Sequence, residues 1–228
     1  MPILILLLVL AVLALIFGPQ SWVRAQMRRH GAERTDFPGT GGELARHLLD
    51  AAGLQAVAVE PTDQGDHYDP IDRVVRLAPE NHDGRSVTAV AVAAHEVGHA
   101  IQHRDNHRLL LARIRMAEGA RKLEIAAAVL FAMAPLVFLF AKATPLLILQ
   151  VVVAVGLLAS RLVMHLVTLP VEFDASFGKA LPILERGGYL KPADMPAARS
   201  VLRAAALTYV ASALVTLLDL TRLARLWR

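Results

Sequence analysis

The chain has no cysteine. Disulfide frameworks, thiolate metal sites and a cysteine nucleophile are therefore excluded. Any transition metal must be held by His, Asp or Glu. Aromatic residues make up 5% and charged residues 19% of 228 positions, whereas an ordinary soluble domain carries about 25% charged residues. No Lys or Arg precedes the first apolar run, which argues against a cleaved signal peptide, since that needs a basic leading segment. With 55% hydrophobic residues and a mean hydropathy of +0.47, a disordered chain is excluded as well. The net charge is +4 and the pI near 9.8. The basic residues flank the apolar runs, a pattern of membrane topology rather than of nucleic-acid binding.

What is present is concentrated. Residues 1–23 carry no charge and are followed by Arg24, Arg28 and Arg29. About 20 apolar residues suffice to cross a bilayer, so this run is expected to be an uncleaved N-terminal anchor. Two further runs, Ile125–Ala141 and Ala143 to about Val171, are separated by a short connection. They are expected to form a transmembrane helical hairpin over 121–171. The run 204–218 is shorter and bounded by Arg203 and Asp219. It makes 201–228 a C-terminal apolar helix that spans or lies at the interface. The positive-inside rule puts residues 24–120 in the cytoplasm, and the hairpin returns 172–200 to the same side. The expected location is a bacterial-type plasma membrane, with the active site facing the cytoplasm.

Residues 24–120 are the main polar stretch. Thr40-Gly41-Gly42-Glu43 has the form of a capping box and opens a helix carrying Leu44, Leu48 and Leu49, which Gly53 ends. Candidate strands are 56–59 and 72–77, with the turn-rich segment 61–70 between them. A long helix is expected from about Ser86 past His103. The fold class is thus a mostly α membrane protein: helical membrane segments plus a small α+β zincin-like catalytic unit with an HExxH helix.

That helix contains His95-Glu96-Val97-Gly98-His99. Residues four apart share a helix face, so both imidazoles can bind one cation, with the glutamate beside the open coordination position. Zn2+ suits these donors and brings the pKa of its water to about 7. Glu96 can then take a proton from the attacking water and return it to a leaving amine. A catalytic zinc needs a third protein ligand. The extended metzincin pattern fails, because the required Gly and His positions hold Gln102 and Asp105. Glu172 stands where the hairpin returns to the side of His95 and His99, so topology allows it as the third ligand. Asp174 is the reserve.

The chain resembles the YugP-like family of membrane-bound neutral zinc metallopeptidases. The residues that carry the resemblance are Asp66-His67-Tyr68-Asp69-Pro70, Ala93-Ala94-His95-Glu96-Val97-Gly98-His99-Ala100-Ile101-Gln102-His103, Thr168-Leu169-Pro170-Val171-Glu172-Phe173-Asp174-Ala175-Ser176 and Ala205-Ala206-Leu207-Thr208-Tyr209-Val210. It implies His95 and His99 as zinc ligands, Glu96 as catalytic acid/base and Glu172 as third ligand. The chain is more distantly similar to HtpX-type gluzincin membrane proteases. Those often carry Asp four residues beyond the ligand Glu, where this chain has Ser176.

His103 continues the helical ladder but is rotated some 80° from His95, which suits a supporting rather than a ligating role. His67, Tyr68 and Tyr209 are candidate donors to the oxyanion formed on peptide hydrolysis. The segment 73–77 could offer a strand edge to an extended substrate. The leading expectation is a membrane-anchored zinc endopeptidase with Glu96 as general acid/base. Its partners would be the lipid bilayer and a peptide or membrane-protein substrate, without nucleic acid; the sequence leaves oligomeric state open. Alternatives are a site-2-type intramembrane zinc protease and a non-catalytic zinc-binding membrane scaffold.

Overall fold

The computed structural model of the chain describes residues 2–141 and 144–208. The first helix, α1 (Pro2–Arg29), ends on Arg28 and Arg29, where basic side chains suit the negative end of the helix dipole. Thr40 then caps α2 (Gly41–Ala51). Its hydroxyl accepts from the Glu43 backbone N at 3.2 Å, and the Glu43 carboxylate accepts from the Thr40 N at 2.8 Å. The capping box expected from the sequence is therefore formed. Gly53, at φ 72°, takes the left-handed conformation that lets the chain leave α2.

A three-stranded sheet follows, with β1 (Ala58–Pro61), β2 (His67–Asp69) and β3 (Val74–Leu77) in the order β1-β3-β2. β1 runs parallel to β3, and β2 antiparallel to it with Tyr68 opposite Val75. Two expectations are corrected here. The segment 61–70 holds a strand at His67–Asp69, and part-buried hydrogen bonds fix the turn before it: the Asp66 carboxylate accepts from the Ala78 N and from the Asn81 amide, each at 2.8 Å. β3 is the central strand, so 73–77 has no free edge to offer, and the outer positions belong to β1 and β2.

A short α3 (Pro79–His82) leads to α4 (Val87–Arg104), capped by Ser86, whose hydroxyl accepts from the Ala89 N at 3.0 Å. Every residue of α4 from Val87 to Gln102 is buried. This helix is the axis of the polar unit, with α2, the sheet and later helices packed around it. Then come α5 (Arg108–Ala141) and α6 (Thr144–Phe173), which pack against each other. α6 runs without a break into a π-helical segment, Asp174–Ala180, and on into α7 (Leu181–Gly187). A last described helical stretch, α8, covers 195–208. Leu49, Val75, Leu77, Val97, Leu184, Val201 and Leu202 form one core that joins α2, the sheet, α4, α7 and α8.

The membrane-spanning part of the expected fold class is also corrected. Among the described residues, no helix is long and apolar enough to cross a membrane. The helices carry more than the apolar runs. The first half of α5 contains Arg108, Arg113, Arg115, Glu118, Arg121, Lys122 and Glu124, and α6 contains Arg161 and His165. Charged side chains at the centre of a bilayer are costly. Most of the C-terminal run 204–218 lies outside the described residues.

α4 approaches a neighbouring backbone closely at Gly98, between the two histidines. A Cβ placed there would lie 2.8 Å from the carbonyl oxygen of Ala175 in the π segment. Only glycine lets α4 and this segment touch backbone to backbone. Gly98→Ala is expected to destabilise the metal-free protein by about 1–3 kcal/mol, the usual cost of overpacking. A thermal melt of the purified variant checks this; an unchanged midpoint would show that the contact is not tight.

Candidate metal centre

His95 and His99 lie one turn apart on α4, with ring centroids 4.8 Å apart and nearly perpendicular. Glu172 enters from the last turn of α6. Its Oε2 is 3.1 Å from Nε2 of His95 and 3.2 Å from Nε2 of His99. All three residues are buried, and their ligand atoms lie within 4.8 Å of one another. Zinc bonds of about 2.0–2.1 Å at tetrahedral angles put neighbouring ligand atoms about 3.3 Å apart. The two carboxylate–imidazole separations fit that spacing, and all three ligand atoms lie within 4.8 Å.

Hydrogen bonds on the far side of each ring decide what these nitrogens can do. The Ser176 hydroxyl donates to the Leu202 carbonyl at 2.9 Å. It has one proton, so at its 3.0 Å contact with His95 Nδ1 it must accept. His95 therefore carries its proton on Nδ1. The Gln102 amide nitrogen donates to the Val171 carbonyl at 2.9 Å and to Asp174 Oδ2 at 2.8 Å. That orients its oxygen to accept from His99 Nδ1 at 2.9 Å. Both Nε2 atoms consequently present lone pairs toward a carboxylate oxygen. Three acceptors facing one point repel unless a cation sits among them. The donor set thus fits a divalent transition metal.

Glu96 is buried beside this cluster, and burial pushes its carboxyl up to about 7, with His95 pulling the other way. The Arg113 guanidinium, donating to Glu172 Oε1 at 2.8 Å, favours the charged form of that carboxyl. Glu172 is therefore an anion, as a ligand must be. The cluster opens into a cleft of about 1050 Å³. One wall is the α5 face bearing Leu110, Arg113, Ile114 and Ala117; opposite it runs the segment 64–71 with β2.

The other sequence candidates separate clearly. His103 is turned away from the cluster, and its Nδ1 is hydrogen-bonded to the Tyr68 hydroxyl at 2.9 Å. Burial favours the neutral form of both groups. His67 lines the cleft and donates from Nδ1 to the Gly65 carbonyl at 2.8 Å. Asp174 lies behind Gln102 and supports it. Tyr209 lies outside the described residues. Three contributors were not foreseen in a role. Gln102 was noticed only as the residue that fails the metzincin pattern, and Ser176 only as a departure from an aspartate. Arg113, which donates to Glu172 Oε1 at 2.8 Å, carries no signal beyond being a basic residue on a largely apolar helix face.

Fold and site together bring a carboxylate from a distant helix to two histidines of α4, a buried His/His/Glu group that could hold a metal ion. The chain belongs to the family described as "Putative neutral zinc metallopeptidase", whose pattern it matches over residues 4–228. It is also 38% identical over 228 residues to the "Putative membrane protease YugP" of Bacillus subtilis (strain 168), covering 96% of this chain and 94% of that protein. No solved structure matches. Zinc is the metal of this family.

Ser176→Ala removes the partner that fixes the His95 tautomer. Such outer partners are worth roughly 10–100-fold in metal affinity. A loss of about 10-fold or more in zinc affinity is expected, measured by competition with a chromogenic chelator. Unchanged affinity would mean that His95 does not need Ser176.

Proposed function

We propose that the chain is a membrane-associated zinc endopeptidase. The observation that carries this reading is the convergence of His95 Nε2, His99 Nε2 and Glu172 Oε2, with the Glu96 carboxyl beside them in an open cleft. Residues 24–120 and 172–200 act together as the catalytic unit, since one supplies α4 and the other the segment packed on it.

His95, His99 and Glu172 hold the zinc. When bound, it supplies a Lewis acid that makes water nucleophilic near neutral pH and polarises a carbonyl. Glu96 takes the proton of the attacking water and passes it to the leaving nitrogen. Burial raises this carboxyl from the ordinary carboxylate range, which suits a group that must return a proton as well as take one. The cleft, about 1050 Å³ and lined by residues of α5 and of the segment 64–71, has the volume to take a peptide segment. Tyr68 and His67 both line that cleft. The Tyr68 hydroxyl is shared with His103, and His67, whose Nδ1 proton goes to the Gly65 carbonyl, can donate to the carbonyl under attack only as the imidazolium.

Membrane association is supported by the name of the Bacillus relative. It is also supported by large apolar side chains exposed on α5 and α6, among them Ile125, Val129, Val152, Val155 and Leu166. A site-2-type arrangement has less in its favour: α4, which carries the motif, is enclosed by α2, the sheet and the π segment of the protein itself.

Glu96→Gln is expected to keep zinc and fold while losing turnover of a quenched peptide substrate library by about 10²–10⁴-fold, the usual worth of a positioned acid–base. Glu172→Ala should lose the metal on dialysis, as read by elemental analysis. A Glu96→Gln variant that still cleaves at the wild-type rate would overturn the mechanism.

A further inference from the structure

Glu172 is 2% exposed, and its two carboxylate oxygens have different surroundings. Oε2 faces the two imidazole Nε2 atoms. Oε1 accepts from Nη1 of Arg113 at 2.8 Å. Arg113 comes from α5, the helix that walls the cleft, whereas Glu172 closes α6, which pairs with α5. Two helices thus meet at one carboxylate, which bridges the cation site and the cleft wall.

The arrangement has a chemical consequence. A carboxylate can give a metal one oxygen or both. A catalytic zinc site uses three protein ligands and keeps a fourth position open for water or substrate. If Glu172 rotated to present both oxygens, the second would crowd that position. Guanidinium is planar, always charged and directional in its hydrogen bonds, so it is well suited to pin one carboxylate oxygen. We infer that Arg113 is a positioning residue of the metal centre: by holding Oε1 of Glu172 it leaves Oε2 alone for the cation and keeps the fourth position open. The inference rests on the His/His/Glu metal reading above, and adds to it how the third ligand binds.

The test uses the full-length, detergent-purified chain loaded with Co2+, whose visible bands report coordination number. The wild type is expected to give the intense bands of a four-coordinate ion. Arg113→Met keeps most of the side-chain length but neither the charge nor the donors, and is expected to lose about half or more of that intensity as a second carboxylate oxygen joins the metal. Arg113→Lys, which restores a cation beside Oε1, should recover wild-type bands. A merely structural role for Arg113 would not change the coordination number of a folded, metal-loaded variant, and circular dichroism establishes folding. If folded Arg113→Met gives the wild-type spectrum, the inference falls while the metal centre stands. If the wild type takes up no Co2+ or Zn2+, the metal reading falls with it. X-ray absorption of the zinc-loaded wild type needs no variant: one carboxylate oxygen at bonding distance is expected, and two would overturn the role given to Arg113.

Discussion

The structure depends on the mutual repulsion of three acceptors brought to one point. Two imidazole nitrogens with their protons on the far side and one carboxylate oxygen face each other inside a buried pocket. In a low-dielectric interior this costs energy until a cation arrives. Binding such a cation is therefore also a folding interaction. It ties the middle of α4 to the end of α6, 73 to 77 residues apart in the chain. The packing of α4 against the π segment also holds these two stretches together.

That packing is made of small groups. Gly98 lies against the Ala175 carbonyl, and Ala175, Ser176 and Ala180 are buried within the π segment. A π turn is wider than an α turn, and such bulges are frequent at functional sites. Here the widened turn follows Glu172 directly. It brings Ser176 to the back of His95 while Glu172 reaches the front of both rings, so one stretch of helix supplies the ligand and the support of another ligand. Through the Ser176 hydroxyl the metal centre also reaches Leu202 in α8, and through Gln102 it reaches the Val171 carbonyl and Asp174. The candidate site is thereby tied to three separate helical segments.

How much of this could be read from the sequence follows from the range of each interaction. Local patterns were legible. Thr40 and Glu43 make their capping box within four residues, and the HExxH spacing follows from the helix repeat alone. Glu172 was legible in part, because the order of the segments returned it to the side of His95 and His99. β2 was not, since its stability comes from Asp66 reaching Ala78 and Asn81, twelve and fifteen residues away. Ser176, Gln102 and Arg113 were equally hidden: each is an ordinary polar residue whose role exists only once distant helices are side by side. The apolar runs misled for a related reason. Composition reports how much greasy surface a helix has, and says nothing of the charges that share the same helix or of the helix packed against it. α5 shows this most plainly, with its charged half walling the cleft.

The polarity of the outer partners carries a last consequence. In many zinc sites a carboxylate receives the far N–H of a ligand histidine and makes the imidazole a stronger donor. Here both far nitrogens donate to neutral groups, a serine hydroxyl and a glutamine carbonyl. The third ligand is a carboxylate whose other oxygen is held by a guanidinium, which draws charge away from the metal. On the proposed His/His/Glu reading all three ligands would thus be weaker donors than carboxylate-backed ones, and a cation held by weaker donors keeps more of its own charge. That charge is what acidifies water and polarises a carbonyl. Such a centre trades some grip on the metal for electrophilicity. It can do so because burial and the backbone contact at Gly98 hold the ligands in place without relying on the metal alone.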